Sequence, residues 1–311
     1  MTVPGPPVLD IPDAVEAARE VRDRVGVDPH EPLPCVISLA EQELGLDVVV
    51  ASLPENCSGF YLPRPGRGLV ATNGIHAVVR QRFTVAHEVG HHVLGHGAAP
   101  RIVTLAETPS AVESPAGAVT GEAGARREDP ASGPAAELAP ATSATVPATP
   151  KRPSDPRERA ANAFAAELLC PAPAARAFVD RHATTDRDGA PVVDFDLVVR
   201  LSCAFGLSAW AVLMRLGTAK VLEREGDVRA ALQSRVDAQE HIDRYGQLGL
   251  LELQDELQEI AGIGRLPRLP EGVAGDVLLT VTDPDRPLGP LLPAVRQLRV
   301  LLGVDRDDRV A

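Results

Sequence analysis

The chain has 311 residues, 44% of them hydrophobic, which is enough to bury a sizeable core and, at this length, to form about two domains. A formal net charge of -12 excludes a general polyanion binder, whose surface carries a basic excess, so any contact with DNA has to be local. No run of about 18 apolar residues occurs and no basic segment leads into an apolar stretch at the start, so the expected protein is cytoplasmic and makes no membrane contact.

From Ile11 to about Val50, "IPDAVEAAREVRDRVG" and "PCVISLAEQELG" carry apolar residues at helical spacing, and "LDVVVASL" then turns to a β-branched run. Two helices and a strand are expected there. "SGFYLP" and "RGLVATN" are short strands separated by turn residues, which predicts a small antiparallel sheet ahead of a helix over "RQRFTVAHEVGHHVLGH". Residues 97–156 then hold ten of the 29 prolines and no aromatic residue, a composition that cannot offset its ordering entropy by burial. A disordered insertion is expected over that span. Helical patterning resumes at "PRERAANAFAAELLCP" and runs to about Tyr245, so residues 157–245 form a mainly helical half. Residues 246–311 form a small last module with one more helix, a strand at "DVLLTVTD" and a helix at "LLPAVRQLRVLLG". Cys35, Cys57, Cys170 and Cys203 make no CxxC pair, so neither a zinc ribbon nor a disulfide framework is indicated and buried free thiols are expected.

The chemistry is concentrated in "HEVGH". On an α-helix each residue advances about 100°, so His87 and His91 lie within about 40° of each other, one turn apart, where two imidazoles can grip one ion. His92 and His96 project about 140° and about 180° from His87 and read as bystanders. Val85, Val89 and Val93 lie opposite, letting the helix pack while the histidine pair faces a cleft. In an HExxH motif the glutamate beside the first ligand can take a proton from water at the ion, which makes Glu88 the candidate general base. A catalytic zinc site needs a third protein ligand. The metzincin pattern would put a histidine where Gly97 stands, so a carboxylate from a second helix is expected, with Glu158 and Glu167 as the two candidates.

Three stretches, "LPENCSGFYLP", "VRQRFTVAHEVGHHVLG" and "ERAANAFAAELLCP", together resemble the ImmA/IrrE family of zinc metallo-endopeptidases over roughly residues 11–96 and 155–220. The resemblance implies an α+β fold with a minimal zincin-like domain, Zn2+ as cofactor, His87 and His91 as ligands, Glu88 as base and Glu158 as the third ligand. Helical geometry agrees with that choice, since Glu158 shares a face with Asn162 whereas Glu167 lies about 180° round. The chain departs from the family in the insertion, which separates His91 from Glu158 by 67 residues, and in Cys170, where the family more often has methionine. The expected reaction is peptide hydrolysis, with the substrate extended along "GLVATN" or "GFYL" as an edge strand. The group that stabilises the oxyanion is not visible in the sequence: Tyr61, Asn162 and His182 are candidates, and a structural role is the favoured reading of each.

"DFDLVVRLSCAFGLSAWAVLMRL" has the outline of a helix-turn-helix. Its second helix offers only Arg215 as a charge, which suits packing or partner docking better than reading DNA. The resemblance further implies that the substrate is a helix-turn-helix repressor. The alternative is a non-catalytic regulator binding DNA or a partner through the helical half.

Overall fold

The computed structural model describes residues 10–96 and 155–250, except 34, 52, 55, 56, 65, 224 and 225, together with the backbone of 101–104. The three apolar runs form β1 (Leu46–Ala51), β2 (Cys57–Leu62) and β3 (Gly68–Asn73). Their sheet is mixed, correcting the antiparallel expectation: its order is β1-β3-β2-β4, with β3 parallel to β1 and antiparallel to β2. Turn residues between β2 and β3 do reverse the chain, but the stretch after β1 crosses over and leaves room for β3 between the two. All six residues of β3 are buried, as suits a central strand whose apolar run has neighbours on both edges.

The outer strand next to β2 is β4 (Arg101–Thr104), antiparallel to it with a register shift between Cys57 and Gly59. It corrects the disordered insertion at its start, because "RIVT" is a β-branched run too short to stand out against the Pro/Ala-rich average. It also means that neither β2 nor β3 is an edge strand, so the substrate edge assigned to "GFYL" or "GLVATN" is not available on either. The rest of the insertion, residues 97–100 and 105–154, lies outside the described residues, as do the elements expected beyond 250.

Helix α1 (Ile11–Arg24) begins with Asp10 and Asp13 in a reciprocal capping box and buries Ala14, Ala18 and Val21. A short helical turn, α2 (Val36–Ser38), continues as a π-helical turn over Leu39–Glu43. Across β2 and β3 lies α3 (Val78–Val93), and α4 (Pro156–Leu169) packs against both α1 and α3. The start of α4 follows the sequence: Asp155 accepts a hydrogen bond from the Arg157 N–H at 2.8 Å, and Pro156 opens the first turn.

The helical half comprises α5 (Ala172–His182), α6 (Phe195–Phe205), α7 (Ala209–Thr218), α8 (Asp227–Asp237) and α9 (Glu240–Gln247), with a hairpin of β5 (Thr184–Thr185) and β6 (Pro191–Val192). Gly206, at φ 60°, ends α6, and α7 leaves at an angle of 99°. One hydrophobic cluster runs from Ala14 to Tyr245, so the described parts on either side of the insertion share a core and the fold is α+β. Buried arginines join them. Arg22 donates to the Leu168 carbonyl at 2.7 Å, and Arg215 donates to the Cys170 carbonyl at 2.6 Å and to Glu167. Among the described residues no single helix is long and apolar enough to cross a membrane.

Candidate metal centre

His87 and His91 point from α3 toward the first turn of α4, where Glu158 meets them. The His87 Nε2 and His91 Nε2 atoms lie 3.0 Å apart, and Glu158 places one carboxylate oxygen 3.1 Å from the first and the other 3.4 Å from the second. All three side chains are buried, since α4 covers the histidine face that the helical wheel assigned to an open cleft. A small divalent ion held tetrahedrally by nitrogen and oxygen at about 2.0–2.1 Å would space its donors about 3.3 Å apart, which matches these separations. The donor set therefore fits a metal ion, and among the described residues it is the one such group of histidines, cysteines and carboxylates.

The outward nitrogens decide what faces inward. His87 Nδ1 lies 2.9 Å from Asn162 Oδ1, an oxygen that only accepts, so the ring carries its proton there and presents a lone pair at Nε2. Three electron-rich atoms at this spacing, out of reach of water, repel unless a cation lies among them. Burial by itself would push the Glu158 carboxyl up, but the hydrogen bonds and charge that His87 and His91 supply when a proton takes the ion's place at Nε2 outweigh it and hold it well below the usual carboxylate range.

One expectation is corrected here and one candidate is given a partner. Asn162, a candidate for the oxyanion, is engaged by His87 instead. His96, read as a bystander, returns to the site: its Nδ1 lies 3.0 Å from His91 Nδ1. The wheel projection assumed that the helix continues, whereas α3 ends at Val93. Gly95 then adopts φ 69°, the His96 N–H donates to the His91 carbonyl at 2.9 Å, and the ring folds back under the helix. The signal was in the sequence, since a glycine just after the last periodic residue marks a helix stop. Burial first, then the neighbouring His91 and Arg157, push His96 down to about 4.

Glu88 is buried on the adjacent face of α3, toward β2. Its neighbours on that stripe show the direction: Thr84 packs over Gly59, and His92 Nδ1 meets the Tyr61 hydroxyl at 2.9 Å. The Glu88 charge adds to burial in pushing the Cys57 thiol of β2 up to about 12. Tyr61 is thus taken up by His92, and His182 is exposed with its ring on Phe178 at 4.3 Å, so the two other oxyanion candidates also have different partners. Glu167, the rejected ligand, accepts from Arg215 and, at 2.9 Å, from Arg19, away from the histidines. Cys57, Cys170 and Cys203 are buried free thiols as expected, and Cys35 is half-buried. Compared with known protein families, the chain matches no family model, and no curated protein matches it significantly.

Proposed function

We propose that the protein is a zinc-dependent endopeptidase, similar to the ImmA/IrrE peptidases, that cleaves a helix-turn-helix repressor. The observation that carries this reading is the convergence of His87 Nε2, His91 Nε2 and Glu158 on one buried point, with Glu88 on the neighbouring face of the same helix. Zinc in that position would act as a Lewis acid and lower the pKa of a water molecule toward about 7. The chain's own residues do the rest. Asn162 holds the His87 ring in one tautomer, Glu158 balances the positive charge, and Glu88 takes the proton from the attacking water and returns it to the leaving amine.

The choice of a protein over DNA as partner has its own support. Arg215, the one charged side chain of α7, is spent on Glu167 and the Cys170 carbonyl. It is therefore not presented to phosphates or base edges. The repressor as substrate rests on the sequence resemblance.

The test is to load the purified chain with zinc, mix it with candidate helix-turn-helix repressors from the same genome, and compare it with Glu88→Gln. The variant should keep one zinc per chain while cleavage falls about 10²–10⁴-fold, because an amide cannot accept the proton. Loss of metal on that substitution, or cleavage at the wild-type rate, would contradict the assignment of Glu88 as base.

A further inference from the structure

We propose that His96 is a positioning residue for His91: it accepts the Nδ1 proton of that ring and so fixes Nε2 as the metal-facing atom, an inference that rests on the metal reading of the site. The two Nδ1 atoms stand 3.0 Å apart with the ring planes inclined at 63°. A nitrogen–nitrogen contact of that length holds one proton. His91 Nε2 lies 3.0 Å from His87 Nε2 and 3.4 Å from a Glu158 oxygen, so a proton there would fill the place of the ion. The His91 proton therefore belongs on Nδ1, directed at His96, which accepts at Nδ1 and carries its own proton on Nε2.

The backbone itself builds this contact. Gly95 N–H bonds the His92 carbonyl at 3.1 Å and His96 N–H bonds the His91 carbonyl at 2.9 Å, so the turn that ends α3 delivers the ring. The ring is 6% exposed, which keeps water from competing as acceptor. Its Nε2 has no hydrogen-bond partner among the described residues, so His91 is the group that orients it. With Asn162 on His87, each metal-facing imidazole then has an outer acceptor, one from a second helix and one from the turn beyond its own.

The test is the zinc affinity of the full chain, measured by competition with a chromophoric chelator, alongside the thermal melt of the zinc-free protein. His96→Leu removes the acceptor and keeps apolar bulk, and its zinc affinity should fall about 10–100-fold. The zinc-free melt should match the wild type, which separates the effect from damage to the fold. His96→Asn, whose amide oxygen can stand near the Nδ1 position, should recover most of the loss. A Leu variant that binds zinc as tightly as the wild type overturns the role of His96, as does an Asn variant no better than Leu. If the Leu variant does not fold, the Asn variant decides alone: a loss below about tenfold supports the role and a larger one overturns it. A wild-type chain that binds no zinc sinks the metal reading as well, whereas wild-type binding with unchanged variants sinks only this inference.

Discussion

Glu158 and Glu167 lie on opposite sides of α4, 3% and 1% exposed, and burial alone would push both carboxyls up. Both are held low, but by partners of different kinds: Glu158 by the two imidazoles, whose Nε2 atoms can share a proton or an ion with it, Glu167 by the guanidinium groups of Arg215 and Arg19. The first pairing leaves room for an ion, and the second locks α1, α4 and α7 together. Glu158→Ala should therefore weaken zinc binding by more than the about 10–100-fold that losing an outer partner costs, because a direct ligand is removed. Glu167→Ala should keep stoichiometric zinc while folded, yet lose about 3–5 kcal/mol of stability, since Arg215 is left charged and buried. Metal analysis and urea unfolding of the two variants separate these roles, and zinc loss in the Glu167 variant with zinc retention in the Glu158 variant would invert the site.

At the scale of elements, the approach of α4 to α3 sets the ligand geometry, and Gly90 of "HEVGH" permits it. A Cβ at Gly90 would stand 3.1 Å from the Phe164 ring and 3.3 Å from both the Ala161 Cα and its carbonyl oxygen. Two of those atoms are backbone, so the first turns of α4 have to give by a few tenths of an ångström. Gly90→Ala should lower zinc affinity several-fold, while unfolding changes little because the helix-propensity gain of about 1 kcal/mol offsets the strain. Unchanged affinity would show that the helices have slack. The same elements show what a sequence can and cannot convey. His87 and His91 were legible from helical periodicity, and Glu158 from its motif and its face. His96 was misplaced despite the stop signal at Gly95, because a helical wheel drawn past that glycine describes a helix that has already ended. Asn162 was visible, but its partner sits on another helix and no local pattern names it. The parallel pairing of β1 with β3 likewise leaves no local trace, since strand register between distant segments is settled by burial in the whole fold.

On the scale of the molecule, the described parts on either side of the long insertion share one core, through α1 against α4 and α3 against α4. Among the described residues, the contacts that join the two sides are made by α1, α3 and α4 themselves. Two fragments divided within the insertion, co-expressed, should therefore find each other and co-purify. The ion would then act as a crosslink, gripped by His87 and His91 of one polypeptide and by Glu158 of the other. Zinc should tighten the pair and a strong chelator loosen it, which affinity pull-down of one tagged fragment would measure. Fragments that associate equally well with and without metal would mean that the interface needs no staple.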